Sequence, residues 1–497
     1  MSSKLYISLM SLSILFCLPV SSFSQMYTGS KGWYKGNTHM HTTRSDGEIS
    51  PNEAAQLYHD NDYDYIVITD HRKFVNGSSV SVSQRRTGFL IVSGEEFNSL
   101  TGYEPNHTTV MNSTDVLGDI DNNYSSKWEF YNKIYNLAIS KGALPFINHP
   151  NWLSLITADD FLKIQGFKHF ELFNACQDTD NYGIYGTGMP SVEQIWDDVL
   201  TRGGKYYGVG SDDTHNYSAP GACNPFGGWT MLKTNTFDVD GIITAYEQGD
   251  IYTTNGVILL DISDSLGLYS VNVDTASTLY ELHRRDSLGY VNPARPVKKG
   301  TTGFKIEFIG PDGEIIETTR GGSAAFQVTN EYAYVRARVT YTRTITAATA
   351  PYDDALGQDR YVSENNLTME EYYAWGQPFF TDKRRNGPAL VFGCMDSSYF
   401  EYNEKVNVSD STACKTMGIS IRQNQNWMTE SGKGYIYIKF HSDVKPGNIV
   451  LSNIAGKIIR KIDNKWEECR IEGLSAGIYF LTLHINNNKV SKRLVVY

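Results

Sequence analysis

The stretch Gly36–His71, GNTHMHTTRSDGEISPNEAAQLYHDNDYDYIVITDH, decides how the chain is read. His39 and His41 stand two apart, so on an extended strand both imidazoles leave the same face and can converge on one ion. Asp46 follows in a Ser-Asp-Gly turn. Ser50-Pro51-Asn52-Glu53 then supplies a cap, a proline at the first helical position and a glutamate three residues after the cap, which together open a helix. Tyr65-Ile66-Val67-Ile68 is a continuous apolar run of the kind that forms a parallel strand buried on both faces, and it stops at Thr69-Asp70-His71. Strand, helix and strand thus deliver His39, His41, Asp46 and His71 to one edge of a sheet.

The same pattern continues downstream. A short apolar strand from Phe89 to Val92 ends at Gly94-Glu95-Glu96, where strand alternation leaves the choice between the two glutamates open. His107 stands in Asn106-His107-Thr108-Thr109-Val110, and the strand Leu144–Ile147 ends in Asn148-His149-Pro150. The strand from Phe167 to Phe173 closes on Glu171 and Asn174, and the strand from Tyr206 to Gly210 runs into Ser211-Asp212-Asp213-Thr214-His215. Helices are expected over 125–141, Val192–Thr201 and 239–249. Repeated apolar strands, each followed by a helix and each ending in a polar ligand, describe an α/β barrel with its site at the C-terminal rim. Of the eleven histidines, six (His39, His41, His71, His107, His149 and His215) end strands in this way. The other five, His59, His169, His283, His441 and His484, read as surface or satisfied core residues.

The order of His-x-His, Ser-Asp-Gly and Thr-Asp-His resembles the PHP family, the metal-dependent hydrolases named for the polymerase and histidinol phosphatase proteins, and in particular its carbaryl-hydrolase-like branch. The resemblance implies a distorted, TIM-like (β/α)7 barrel over residues 25–256, and selects Glu96 over Glu95 as a bridging carboxylate. Asp213 and His215 match the family's Asp-x-His. A first metal would take His39, His41, Glu96 and Asp213. A second would take His71 and His215 with Asp46, and a third Glu96, His107 and His149. Two to three divalent transition-metal ions are expected, and mixed imidazole and carboxylate ligands suit zinc, manganese or iron alike. Asp70, beside a ligand, is a candidate to orient His71. Arg72 is a candidate to grip a phosphate, alongside Arg44, Arg85 and Arg86. Glu171 completes the catalytic candidates.

With 497 residues the chain is long enough for about three domains. Its formal charge of -11, with no cluster of Lys and Arg among aromatics, argues against a nucleic-acid partner. Residues 1–24 carry Lys4, an apolar run and small residues at Ser21, Ser22 and Ser24, as a secretory signal does. That run is too short to span a bilayer, and no other stretch reads as transmembrane. Bulky Phe16 argues against lipidation at Cys17. Five cysteines lie beyond the signal. Cys394 with Cys414 is the first pair to expect, and the odd count leaves at least one thiol free. Residues 257–385 alternate like a small accessory β-sandwich, and 386–420 read as a linker. The tail, 421–497, contains Gly473-Leu474-Ser475-Ala476-Gly477-Ile478-Tyr479 and is similar to the C-terminal β-sandwich sorting domain of type IX secretion substrates. That resemblance implies export through the periplasm of a Gram-negative Bacteroidetes-type bacterium, to the surface or beyond.

Together these readings lead to a secreted phosphoesterase that cleaves mono- or diesters by metal-bound hydroxide. Its substrate would be a small-molecule, lipid-headgroup or glycan-borne ester. One alternative is a metal-dependent hydrolase of carboxyl, carbamate or sulfate esters, and another is a non-catalytic surface binding protein.

Overall fold

The computed structural model describes residues 26–27, 32–99, 106–120, 124, 126–154, 156–184, 187–218, 221–265, 267–290, 293–345, 368–381, 392–393, 408–409, 427–440, 446–453, 457–463, 468–485 and 488–496. The expected signal segment 1–24, the Cys394–Cys414 pair and most of the linker 386–420 lie outside the described residues. The chain divides into two compact units, Met1–Met395 with Asn403–Ala413, and Asp396–Tyr402 with Cys414–Tyr497.

In the first unit, β1 (Trp33–Asn37) leads to the histidines and α1 (Pro51–Asp60) begins where the capping signals place it. Ser50 Oγ accepts the Glu53 N–H at 3.4 Å, and Glu53 Oε2 accepts the Ser50 N–H at 2.8 Å, a reciprocal cap that contributes ~1 kcal/mol. β2 (Tyr65–Val67) is wholly buried and runs parallel to β1, with Gly36 opposite Tyr65. A Cβ on Gly36 would sit 1.9 Å from the Tyr65 ring, so the glycine is what lets that ring cross the neighbouring strand. β3 (Leu90–Val92) extends the parallel set.

Beyond β3 the strand directions change. β4 (Gly94–Asn98) pairs antiparallel with β5 (His107–Met111), and β5 pairs antiparallel with β6 (Leu144–Ile147). β7 (His169–Asn174) and β8 (Tyr207–Ser211) then join β6 in parallel, which completes a five-stranded sheet. α2 (Lys127–Ser140), α3 (Ala158–Lys163) and α4 (Val192–Thr201) pack on it through Phe130, Ile134, Phe161, Leu162 and Trp196. β9 (Trp229–Lys233) is antiparallel to both β1 and β10 (Ile251–Thr254), while α5 (Val239–Gln248) buries Ile242 and Tyr246.

The expected (β/α)7 barrel is therefore not the fold. Among the described residues there are twenty-eight strands and six α-helices arranged in several sheets, a mostly β architecture. A parallel neighbour needs a crossover of a dozen or more residues, usually helical, whereas antiparallel neighbours need none. Only eight residues separate Asn98 from His107, too few for such a crossover, and β4 and β5 pair antiparallel. Apolar strands ending in polar ligands revealed where strands stop, and left their direction open.

The sheet that begins with β3, β2, β1, β9 and β10 continues through Met369–Gly376, Tyr334–Thr344, Gly303–Ile309 and Ile315–Arg320, and two short strands at its side bring it to eleven. Met40, Ile66, Ile68 and Trp229 share one apolar core with Ile262, Tyr269, Phe308 and Ala337. Residues on both sides of position 256 thus belong to one packed body.

The second unit holds a three-stranded sheet (Trp427–Gly432, Tyr435–Phe440, Glu468–Glu472) and a four-stranded one (Ile458–Asp463, Pro446–Asn453, Gly477–Ile485, Asn488–Val496). Ile436, Ile438, Phe440, Leu451, Leu481, Leu483 and Val496 fill the core between them.

Candidate metal centre

All nine predicted ligands meet at one place. His39 Nε2 and His41 Nε2 are 3.1 Å apart, and Asp213 Oδ1 lies 3.1 and 3.2 Å from them. Glu96 is the hub, fully buried and within reach of five imidazoles. Its Oε1 is 3.0 Å from His107 Nδ1, 3.2 Å from His39 Nε2 and 3.6 Å from His149 Nε2. Its Oε2 is 2.8 Å from His71 Nδ1 and 3.4 Å from His41 Nε2. Asp46 closes the outer side, 3.3 Å from His41 Nδ1 and 3.5 Å from both His71 Nε2 and His215 Nε2. The donors fall into three sets: His39, His41 and Asp213; His41, Asp46, His71 and His215; and His71, Glu96 and His107. In the last set His71 stands where His149 was expected.

Local chain geometry explains the convergence. Met40, between the two histidines, is buried in the core and bridges Thr214, so its neighbours on either side both face the centre. A Cβ on Gly47 would lie 2.3 Å from the His41 carbonyl oxygen, and its absence lets the Ser-Asp-Gly turn fold back over the histidines. On β4, Glu96 faces inward while Glu95 accepts the Leu117 N–H at 2.8 Å on the other side. Asp212 likewise points away and anchors a loop, accepting the N–H groups of Phe226, Gly227 and Gly228 at 2.7–3.0 Å.

The three predicted catalytic side chains are each engaged by protein groups. Glu171 Oε1 accepts from His39 Nδ1 at 2.7 Å and Ser211 Oγ at 2.5 Å, and its Oε2 accepts from the His149 N–H and Asn174 Nδ2 at 2.8 and 2.9 Å. It fixes which nitrogen of His39 faces the centre. Asp70 accepts from Thr42 N, Thr42 Oγ1 and Ser45 Oγ at 2.7–2.8 Å, so it braces the turn after His41 instead of orienting the His71 ring. Arg72 is turned away: its guanidinium lies over the Phe97 ring, donates to the Asn98 carbonyl at 3.0 Å and pairs with Asp119. That position removes it as a phosphate grip.

The donor set fits a group of cations. A tetrahedron with bonds of 2.0–2.1 Å to nitrogen and oxygen has edges of ~3.4 Å, close to the 3.1–3.2 Å separations among His39, His41 and Asp213. Glu96 Oε2 and His71 Nδ1 approach to 2.8 Å, yet both buried atoms lack a properly angled hydrogen-bond partner, a mismatch that a shared cation resolves. The carboxylates draw positive charge inward. Burial opposes a proton on His71, but the Glu96 charge and Asp46 outweigh it and raise the group to about 10. The same opposition, with Asp46 and Asp213, raises His215 to about 9. Burial pushes Glu96 and Asp213 up, while the surrounding imidazoles hold both well below the usual carboxylate range.

A cavity of about 270 Å³ opens on the cluster. Trp152 walls it, its ring 5.1 Å from His107 and 5.0 Å from His149. Cys176 and Cys223 are disulfide-bonded at its rim, a pairing the sequence did not reveal, and Cys469 is a free thiol among the described residues. No Lys or Arg lines it among the described residues. Sequence reading also passed over Asn148, whose Nδ2 donates to Glu96 Oε1 at 2.6 Å, and the role of Asn174, whose Nδ2 donates to Asp213 Oδ2 at 3.1 Å. Asn148 stands beside the ligand His149 just past the end of β6, and Asn174 is the last residue of β7; those strand-end positions were the available signal.

Residues 432–497 match the family model of the secretion system C-terminal sorting domain. The type IX resemblance of the tail is thereby borne out: it implies the secretion machinery as a partner and places the protein outside a Bacteroidetes cell or on its surface. No helix among the described residues is long and apolar enough to cross a membrane. No curated protein matches the chain. Among solved structures it is similar to a two-domain protein from Bacteroides vulgatus containing a predicted PHP-like metal-dependent phosphoesterase, at 12% identity and a TM-score of 0.32, over 70% of this chain and 94% of that one. A biofilm-associated protein domain matches at 9% identity and a TM-score of 0.12, over 46% of this chain and 27% of that one. Likenesses this loose carry no argument about fold or activity.

Proposed function

We propose that the chain is an exported, metal-dependent hydrolase of phosphate esters, belonging to the PHP group that its motifs resemble. The observation that carries this reading is Glu96, a fully buried carboxylate with five imidazoles from four separate chain segments within 3.6 Å. His39, His41, Asp46, His71, Glu96, His107, His149, Asp213 and His215 would hold two to three divalent ions such as zinc, manganese or iron. Such ions, when bound, acidify water and offset negative charge on the oxygens of the ester.

The chain's own residues supply the rest. Glu171 holds His39 with its Nδ1 proton turned outward, leaving Nε2 as a ligand. Asn148 and Asn174 fix the Glu96 and Asp213 carboxylates through one oxygen each. Trp152 shields two imidazoles from bulk water. Because no Lys or Arg lines the cavity among the described residues, an anionic substrate depends on the cations for its counter-charge. The same lining favours, as a second reading, an uncharged carboxyl or carbamate ester.

Rates on aryl phosphate, bis-aryl phosphate, aryl acetate and aryl carbamate, with each metal supplied, decide between the readings. The phosphates should turn over, and Asp213→Asn should abolish the activity. Turnover of acetate or carbamate alone would replace the phosphoesterase reading with the second. No turnover by fully metal-loaded protein would leave a surface binding protein.

A further inference from the structure

A cavity of about 530 Å³ lies away from the metal centre, between the far side of β7, the start of α4 and the strands Gly303–Ile309, Tyr334–Thr344 and Met369–Gly376. It is within the range of sites built for small organic molecules. Its wall is aromatic. Trp375 stacks on Tyr373 with ring centroids 5.0 Å apart and on Phe173 at 5.7 Å, with interplanar angles of 26° and 25°.

The charged groups around this wall balance one another. Arg336 is bidentate to Asp197 at 2.8 and 2.6 Å, and its Nη1 lies 2.8 Å from Glu193. Arg338, opposite Trp375 in the strand pairing, reaches Glu193 at 3.0 Å and Glu307 at 2.9 Å. These guanidinium groups have no free charge with which to capture an anion, and the pairs hold donors and acceptors rigidly in place. Two donors remain. The Trp375 indole N–H, on a residue only 3% exposed, has no hydrogen-bond partner, and neither does buried Arg295 Nε, whose guanidinium lies 5.5 Å over the Tyr182 ring. Buried donors are normally paired, so two orphans on one cavity call for a ligand that accepts hydrogen bonds.

We propose that this cavity binds a neutral sugar unit of one or two rings. A sugar presents an apolar C–H face that fits a flat aromatic wall. Its hydroxyls both accept and donate, matching the two orphan donors and the carboxylates of the rim. Neither a simple anion nor an apolar ligand uses all three features. The proposal concerns a different part of the first unit from the metal centre and does not depend on the proposed reaction.

The test titrates full-length, metal-loaded protein with glucose, galactose, N-acetylglucosamine, maltose and cellobiose by calorimetry, with inorganic phosphate as the anionic probe. At least one sugar should bind, phosphate should not displace it, and Trp375→Phe and Arg295→Gln should each weaken binding about fivefold or more, with the metal content unchanged. Arg295→Gln decides alone if the Trp375 variant fails to fold. The proposal is overturned if none of the five sugars binds at concentrations up to about 20 mM. Binding that both variants leave untouched, or displacement by phosphate, would overturn it as well.

Discussion

Removing the Glu96 carboxylate tests the centre at its hub. In the metal-free protein Glu96 Oε2 lies 2.8 Å from His71 Nδ1, and two unit charges at that distance interact by ~6 kcal/mol at an effective dielectric of 20. Burial works against the charged imidazole, yet His71 is raised to about 10, which against an ordinary value near 6.5 corresponds to ~5 kcal/mol. The Glu96 contact is therefore large enough to carry a major share of the shift, with Asp46 adding to it against burial. Glu96→Gln keeps the volume and one oxygen, so His71 should fall by several pH units, read from its ring proton by NMR in metal-stripped protein. In reconstituted protein the two oxygens of Glu96 face different imidazoles, Oε1 toward His39, His107 and His149, and Oε2 toward His41 and His71. Glu96→Ala should accordingly cost more than one ion per chain by elemental analysis, and Glu96→Gln fewer. If the alanine variant loses a single ion or none, or if His71 titrates as before in the glutamine variant, Glu96 is not a bridge and the centre is wrongly drawn.

Metal uptake should strengthen with pH. His71 and His215, raised to about 10 and about 9, carry protons at neutral pH that must leave before either nitrogen can ligate. Affinity measured by competition with a chelator should therefore rise up to ~100-fold per pH unit between 7 and 9, and level off above 10. The stability of the metal-free protein should move the opposite way: the contribution from these raised imidazoles is complete below the unfolded value near 6.5 and is lost as pH passes through 9 and 10. Glu171→Gln sets an amide against four donors and should weaken metal binding ~10–100-fold, with the circular dichroism spectrum unchanged. Replacing Cys176 and Cys223 with serine opens a loop spanning 47 residues and should lower unfolding free energy by up to ~4 kcal/mol in denaturant titrations. Deleting 432–497 should retain the protein inside the cell envelope with its metal content intact, and normal export of the truncated chain would deny the tail its sorting role.

The sequence carried the site better than the fold, and particular residues show why. The His39–His41 spacing, the Ser50–Glu53 cap and the apolar run ending at His71 are local features, each fixed by a few neighbouring residues, and each appears where expected. The barrel failed because it depended on strand direction. The short, Gly- and Pro-containing segment between Asn98 and His107 was the one sign of a reversal, and a ligand beside an apolar strand looks the same whether the strand runs parallel or antiparallel. The Cys176–Cys223 pair was hidden for a related reason: the loops that bring the two residues together are ordered by long-range bonds such as Gln177 Oε1 accepting the Cys223 N–H at 2.8 Å. Arg72 illustrates a third kind of failure. Adjacency to a ligand put it near the centre, but its backbone is left-handed, with φ of 51°, and swings the guanidinium toward Asp119.

That backbone feature recurs at the centre itself. His149 and Asp213 also have positive φ, 24° and 51°, a region that costs a residue other than glycine ~1–3 kcal/mol. Both follow the ends of buried strands, where continuing the extended path would carry the ligand past the cluster. The kink turns each side chain back inward, and a backbone bond holds each kink: the His149 N–H donates to Glu171 at 2.8 Å, and the Asp213 N–H to the His39 carbonyl at 3.0 Å. The brace on His149 is thus the same carboxylate that orients His39, and the brace on Asp213 is the main chain of His39 itself. Strain at two ligands is offset through a third, so the centre is built as one interlocked unit, and a loss at Glu171 should spread to ligands that it never touches directly.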